Sequence, residues 1–389
     1  MKIKERKRIV VEQQTNQKNI KAKITAVLKR IFIDGLSGMA LGLFATLIVG
    51  TILGQIAAFG FLKGTFVGTL LTYTANLTKT LMGVGIGVGI AYKFKESPLV
   101  TVGAGACGFI GAFSANLVNL AKGVITTLPA ISQGAPGDPL AAFVAAMVGI
   151  EIGRLVAGKT KVDILVTPIV TVASGGAAGL LTGKGIAAVT SAISSFVGWS
   201  TEQQPVLMGI IVAVVMGLAL TLPISSAAIG VVVFAGSESS YGLALAAAAA
   251  TAGCSAQMVG FAVSSFRENR YGGLVSQGIG TSMLQMSNIV KNPRIWIPPT
   301  VASAVVGPVS AALFKMTNNN VGAGMGTSGL VGQINGYMVM TQQSGVSWYV
   351  ALLEILLVHI ILPAAISLGV SELLRKVGWI KENDMLLEN

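Results

Sequence analysis

The stretch SWYVALLEILLVHIILPAAISLGV, from Ser347 to Val370, decides the class of this protein. It exceeds the roughly 20 mostly apolar residues that a helix needs to cross about 30 Å of hydrocarbon. A second such stretch runs from Gly35 to Leu62, and others follow along the chain. Only 11% of the residues are charged, whereas soluble proteins carry roughly 25%. We therefore predict an all-α polytopic membrane protein with about ten to twelve transmembrane or re-entrant segments.

Positive charge is concentrated near the N-terminus. The net charge is +12, and the chain opens with MKIKERKR. Residues 1–30 are predicted to be a cytoplasmic basic segment that ends in a surface helix on the anionic inner leaflet. A solvated charge run that only fixes orientation is an equally good interpretation of residues 1–17. This distribution indicates that the basic residues contact membrane lipids and do not bind nucleic acid.

Basic loops suggest how the chain threads the membrane, since Lys and Arg collect on the cytoplasmic side. KFKES (residues 93–97) and GKTK (residues 158–161) are placed inside. Val162–Leu181 is then predicted to cross outward and the weaker segment Ile186–Trp199 to return. The second half repeats this course, so both termini, including the tail at residues 376–389, are predicted to be cytoplasmic.

The two halves of the membrane region resemble each other in sequence. FKESPLVTVGAG (residues 94–105) matches FRENRYGGLVSQGIG (residues 266–280), and further short matches follow in the same order along both halves. This order predicts an internal duplication into a first half, residues 31–200, and a second half, residues 201–375. Because both Phe-basic-Glu motifs are placed inside, the repeats are predicted to be parallel. Repeats of this kind commonly place a substrate site at their interface near the midplane, framed by interrupted helices.

A short hydroxyl-bearing phrase occurs twice in the second half, as GIGTSML (residues 278–284) and GMGTSGL (residues 324–330). Paired glycines allow a helix to start or break within the membrane. At such a break, free backbone N–H groups and side-chain hydroxyls can face a hydroxyl-rich or anionic ligand. A Gln and an Asn follow each phrase. The predicted substrate-binding residues are Thr281, Ser282, Gln285, Asn288, Thr327, Ser328, Gln333 and Asn335.

The spacing of Thr281, Gln285 and Asn288 predicts one polar face on a helix. The alternative is that these hydroxyls bond to their own helices or allow close packing, which is common in membrane helices. In the first half, the aligned positions are Ala106–Cys107 and Ala177–Ala178, which are not hydroxylated.

Ionisable groups inside predicted segments are candidates for coupling, because burying charge in a membrane is costly. Glu354 and His359 lie in the last long helix, and His359 is the only histidine. Its ordinary titration range suits proton transfer, although a packing histidine bonded to a backbone carbonyl is an equally good interpretation. Glu151 is a third candidate, but its spacing from Arg154 favours a structural ion pair.

Enzyme motifs are not apparent in the sequence. It contains no Walker loop, no Ser/His/Asp set with a spare histidine and no metal-ligand cluster. Cys107 and Cys254 lie far apart in apolar stretches, so they predict neither a disulfide framework nor a metal site. We predict no catalytic residue, no metal and no cofactor.

The sequence resembles the membrane family classed as phosphotransferase-system enzyme IIC, type 2, which includes PfoR-type toxin regulators. The resemblance extends over about residues 30–375, and the most specific part is GIGTSMLQMSNIVKNPRIWIPPTVASAVVGPV followed by GAGMGTSGLVGQI. It implies a multi-pass permease of the bacterial inner membrane that passes a sugar-like solute. It also implies that separate IIA and IIB proteins supply phosphate, because no soluble phosphocysteine or phosphohistidine domain is present. Permeases of this kind are often homodimers, and we expect one here.

Three functions stay open from the sequence alone. The first is an enzyme IIC-type permease, the second a membrane regulator or receptor of small molecules, and the third a proton-coupled carrier of an organic anion. Aromatic residues make up only 6% of the chain, so stacking platforms for sugar rings are scarce. Small anionic or polyol solutes therefore stay open beside sugars.

Overall fold

The structure, a computed structural model, describes residues 26–57, 61–124, 137–222 and 226–387. Within these ranges every regular element is a helix, so the predicted all-α fold is confirmed. Most of the predicted N-terminal surface helix lies outside the described residues, as does most of the Pro/Gly-rich segment between Lys122 and Pro139.

The helices before residue 205 form a first group. They are α1 (Ala26–Gly54), α2 (Phe66–Thr80), α3 (Met82–Lys93), α4 (Pro98–Ala112), α5 (Ser114–Ala121), α6 (Pro139–Val156) and α7 (Asp163–Gln203). Two of them begin with a side-chain cap followed by proline, a combination that favours a helix start. Ser97 accepts a hydrogen bond from the Val100 amide, and Asp138 accepts from the amides of Leu140 and Ala141.

Helix α7 differs from the prediction. It is one continuous helix of 41 residues, so the two opposed crossings at Val162–Leu181 and Ile186–Trp199 are wrong. The linking TGKG segment contains two glycines but no proline, and a helix continues through glycine at a cost of about 1 kcal/mol each. At 1.5 Å per residue, α7 is roughly 60 Å long, about twice the hydrocarbon thickness. The parallel orientation of the repeats and the cytoplasmic position of both termini depend on the predicted threading, and both stay predictions.

The helices after residue 204 form a second group, interrupted more often. They are α8 (Pro205–Thr221), α9 (Ser226–Val233), α10 (Tyr241–Ser264), α11 (Phe266–Val275), α12 (Met286–Lys291), α13 (Pro293–Leu313), α14 (Asn320–Ala323), α15 (Val331–Met338) and α16 (Trp348–Lys376). Helix α10 lies at the centre and packs against α7, α8, α13 and α16. It is rich in alanine and is buried almost throughout, because small side chains let neighbouring helices approach closely.

Six helices of the described chain are long and apolar enough to cross a membrane: α1, α6, α7, α10, α13 and α16. A seventh span results if α4 and α5, which meet at a bend of 64°, are counted as one broken span. The polytopic membrane architecture is thus confirmed. The rest of the predicted ten to twelve segments correspond to shorter helices, whose length does not assign them to the membrane.

The first group of helices packs directly against part of the second. Its apolar core, built around Met39, Ile86 and Ile150, also includes Ala228 of α9 and Met325. Met325 belongs to the second of the repeated phrases. The surface between the two groups therefore passes through one of the helix breaks that the sequence predicts.

Candidate substrate site between two broken helices

Each repeated phrase interrupts a helix. In the first, a π-helical turn at Ser276–Gly280 leads to Thr281, whose backbone is extended, and a short 3-10 helix follows at Ser282–Gln285. In the second, Gly326, Gly329 and Leu330 have positive φ angles before α15 begins. Both predicted breaks are thus present in the structure.

The two breaks meet at one pocket of about 210 Å³. The first phrase contributes Gly280, Thr281 and Met283, and the second contributes Gly324, Met325 and Ser328. The remaining lining comes from both groups of helices: Ala40, Phe44, Leu220, Ser226, Ala227 and Met258. The pocket therefore lies between α1 and the broken helices of the second group.

The glycines of the two phrases have different surroundings. A Cβ at Gly326 would lie 2.7 Å from the carbonyl carbon of Cys254, so this glycine lets the break lie directly against the backbone of α10. A Cβ at Gly280 would meet no atom within 4 Å. The second phrase is therefore fixed by packing, whereas the first is more open at the pocket.

Ser282 faces away from the pocket, into a buried polar network. Its hydroxyl lies 2.8 Å from that of Thr221, which donates to the Gln257 Oε1 atom over 3.3 Å. The Trp296 indole donates to the same oxygen over 3.0 Å, and the Gln257 amide nitrogen donates to Ser303 over 3.3 Å. The network anchors the first break to α10. Gln257 is not among the site residues predicted from the sequence, although it is the one amide side chain of α10.

Gln285 and Asn288 bind the C-terminal tail. The Gln285 amide donates to the Met385 carbonyl over 2.9 Å, and the Asn288 amide donates to the Leu386 carbonyl over 2.9 Å. The predicted stripe of Thr281, Gln285 and Asn288 on one helical face is wrong, because Thr281 is extended and precedes a 3-10 turn. Only Thr281 of the three lines the pocket.

Thr327, Gln333 and Asn335 are buried inside the bundle. The Thr327 hydroxyl lies 3.5 Å from the Met258 sulfur, and Asn335 donates to the Val331 carbonyl over 2.8 Å. The Gln333 amide donates to Ser255 over 3.1 Å. Among the substrate-binding candidates, the structure therefore brings together Thr281 and Ser328 at the pocket. The other six contact the surrounding helices or the C-terminal tail.

The coupling candidates lie in separate places. His359 is buried, and its Nδ1 atom lies 3.2 Å from the Gln333 amide nitrogen. Its Nε2 atom and one oxygen of Glu354 have no hydrogen-bond partner among the described residues. None of the three candidates lines the pocket between the breaks.

Glu151 belongs to an ion-pair cluster. It accepts from Arg30 over 2.7 Å and from Arg154 over 2.6 Å, and Arg30 also donates to Glu96 over 3.0 Å. The Arg30 guanidinium stacks over the Phe94 ring at 3.8 Å. The pair of Glu151 and Arg154 is present as the spacing predicts, and Arg30 extends it to α1. Glu151 thus has a structural role in joining α1 to α6.

These helices, with a small pocket where two broken segments meet, define a polytopic membrane protein of the transporter type. The chain belongs to the phosphotransferase system EIIC family, whose model matches residues 33–387, nearly the whole sequence. It is accordingly a multi-pass, permease-type EIIC subunit. No curated protein matches the chain significantly.

Proposed function

We propose that this subunit passes a small, neutral, sugar-like solute through the pocket between the two broken helices. The observation that carries the proposal is that both copies of the repeated phrase line the same pocket. Interrupted helices frame the substrate sites of many transporters, because their backbone groups are free to bind solute.

Pocket chemistry supports a neutral solute over an anion. Thr281 accepts a hydrogen bond from the Met283 amide over 3.1 Å, so its hydroxyl proton is free to donate to a solute. Ser328 adds a second hydroxyl, and no charged side chain is among the lining residues. The volume is below the roughly 300 Å³ typical of ligand pockets, which suits a small solute.

Phosphorylation of the solute would require separate proteins. The family implies association with IIA and IIB components that carry phosphate. Both cysteines of this chain are buried, as is His359, so a phosphoryl donor cannot reach them without a large rearrangement. In this proposal the chain binds and releases the solute, and the partners supply the phosphate on the cytoplasmic side.

Uptake into vesicles tests the proposal, with the full chain assayed across a solute panel with and without a phosphoenolpyruvate relay. Thr281→Val and Ser328→Ala should each lower uptake about five- to tenfold, the effect of losing one hydrogen bond. Thr281→Ser should retain wild-type uptake. Thr341→Val is the matched control, because the Thr341 hydroxyl bonds to its own helix at Tyr337. Absence of uptake in both conditions would exclude a permease, and unchanged uptake in both pocket variants would place the solute elsewhere.

Proton coupling is a second candidate, favoured by the unpartnered Nε2 atom of buried His359. Under this alternative, His359→Gln changes the pH dependence of uptake, because the remaining amide cannot titrate. An unchanged pH profile would remove His359 from the transport mechanism.

A further inference from the structure

A second and larger pocket, of about 460 Å³, lies away from the breaks. Three parts of the chain meet there: the start of α6, the C-terminal half of α7 and the loop before α10. Its lining is rich in hydroxyl groups, which come from Thr190, Ser191, Ser194, Ser195, Ser239 and Ser240. Hydroxyls both donate and accept hydrogen bonds, so the pocket can bind a ligand that does the same.

Thr190 points to a ligand rather than to packing. Thr171, Thr182 and Thr201 of the same helix donate to the backbone carbonyl four residues before them. Thr190 is only 6% exposed, yet its hydroxyl has no hydrogen-bond partner in the described part of the chain. A buried hydroxyl without a hydrogen-bond partner costs free energy. A hydrogen bond between the Thr190 hydroxyl and a ligand would therefore stabilise the complex.

The electrostatics of this pocket disfavour an anion. Its only charged lining residue is Asp138, which accepts from the Leu140 amide over 2.8 Å and the Ala141 amide over 2.9 Å. Ser240 accepts from the Leu243 amide over 3.4 Å. Both helix starts at the pocket are thus capped by side chains, and no basic side chain is available. Burial raises the pKa of the Asp138 carboxyl, and hydroxyl donors from a ligand would favour its ionised form.

The lining also bears on the shape of the ligand. No aromatic residue lines the pocket, so it offers no flat apolar face against which a sugar ring could pack. An open-chain polyol can instead adjust its hydroxyls to a wall of serines and threonines. The volume lies within the range of roughly 300–1,000 Å³ that is usual for small-molecule sites.

We propose that this pocket, which we name the hydroxyl pocket, binds an acyclic neutral polyol through Thr190 and Asp138. It is distinct from the pocket between the breaks. Ser226, at the start of α9, lines the latter, whereas Ala235, just beyond the end of α9, lines the hydroxyl pocket. Eight helical residues span about 12 Å, which approximates the separation of the two sites. The inference goes beyond the proposed transport function and does not depend on it.

Calorimetric titration of the purified full chain in nanodiscs tests the site, with mannitol as the probe. We expect saturable binding that Thr190→Val weakens about five- to tenfold, because one hydrogen bond is lost. Thr190→Ser retains the hydroxyl and should bind as the wild type does. Thr182→Val is the matched control, since Thr182 lies on the same helix, is exposed and bonds to Ala178.

A sugar acid of the same chain length, mannonate, tests the charge preference. The wild type should bind mannonate at least about tenfold more weakly than mannitol, because two carboxylates would repel each other. Asp138→Asn should reduce the difference in affinity between mannitol and mannonate, because it removes the carboxylate of the protein. Asparagine preserves the helix cap.

Several outcomes would overturn the site. They are absence of saturable mannitol binding, an unchanged affinity in Thr190→Val, or equal affinities of the wild type for mannitol and mannonate. If Thr190→Val did not fold, Ser191→Ala at the exposed lip would replace it, with the same expected weakening. If Thr281→Val weakened mannitol binding and Thr190→Val did not, the polyol would bind between the breaks, which would refute the hydroxyl pocket and leave the proposed transport site intact.

Discussion

At the scale of single residues, the two repeated phrases have similar sequences, but their hydroxyl groups make different contacts. Thr281 and Ser328 face the pocket, whereas Ser282 and Thr327 bond into the bundle. The sequence predicts the breaks, because the glycine and hydroxyl pattern is local. It does not predict which hydroxyl faces the pocket, because that depends on backbone angles such as the φ of +51° at Gly326.

Substitution of Gly326 tests the close approach of the second break to α10. Gly326→Ala should lower the melting temperature strongly, because its methyl group would contact the Cys254 backbone and the φ angle is positive. Gly329→Ala is the matched control, since its φ is +55° but the nearest atom would lie 3.8 Å away. Thermal unfolding in detergent measures both. Equal shifts would mean that backbone strain alone decides the cost.

At the scale of helices and their ends, the caps Ser97 and Asp138 and the prolines that begin α4 and α6 are local features of the chain. Two other features are not determined locally. Helix α7 continues through TGKG despite its two glycines. The C-terminal tail folds back so that Met385 is fully buried beside Ile380. Such contacts join segments far apart in sequence, which local periodicity does not encode.

Tail docking makes a prediction for Gln285 and Asn288. Replacing both with leucine should release the tail, because two hydrogen bonds to its backbone are lost. Hydrogen exchange should then become faster at the amides of residues 380–387 and of α12. Gln343→Leu serves as the control, since Gln343 is exposed and is distant in sequence from the tail. Unchanged exchange in the tail would show that its remaining contacts hold it, which include its apolar packing and the hydrogen bond from the Asn269 amide to the Met385 carbonyl over 2.7 Å.

A buried ion pair between α11 and α16 makes a second prediction at this scale. Arg375 donates to Glu268 over 2.7 Å, and the two side chains are 11% and 2% exposed. Arg375→Met should destabilise the fold by about 3–5 kcal/mol, because it leaves a buried carboxylate unpaired. Adding Glu268→Gln should recover part of that loss. Chemical denaturation in detergent measures both changes.

The control for this ion pair is the neighbouring pair of Arg267 and Glu372, joined over 2.8 Å. Arg267 is 66% exposed, so Arg267→Met should cost less than about 1 kcal/mol. If both arginine variants lowered the free energy of unfolding equally, burial would not explain the stabilising effect of the contact with Glu268.

At the scale of the whole molecule, composition and long apolar runs are enough to predict the class of protein, because they recur along the chain. The family is predicted instead from its resemblance to specific motifs such as GAGMGTSGLVGQI. The location of the pocket is different, because α1 and two distant breaks form it together. The sequence predicts a site at an interface between halves. Identifying Ala40 and Phe44 as its lining requires the packed structure.

Helix α7 makes a prediction about placement in the bilayer. At roughly 60 Å it is too long for one hydrocarbon layer, and the exposed Lys184 lies near its middle. Because a lysine in hydrocarbon is costly, Lys184→Cys should react with a membrane-impermeant maleimide on one side of the membrane. Ile169→Cys, which is also exposed on the protein surface, should be protected by lipid. Protection of Lys184→Cys from both sides would show that this part of α7 is embedded.

Burial of α10 by other helices has a consequence for biogenesis. Lipid-facing segments must partition from the translocon into hydrocarbon individually, and each polar side chain makes the free energy of that transfer less favourable. Helix α10 carries Thr251, Ser255 and Gln257 and is shielded by its neighbours. It is therefore poorly suited to insert alone. Its stable insertion should follow the synthesis of α13 and α16, whose side chains complete its surroundings.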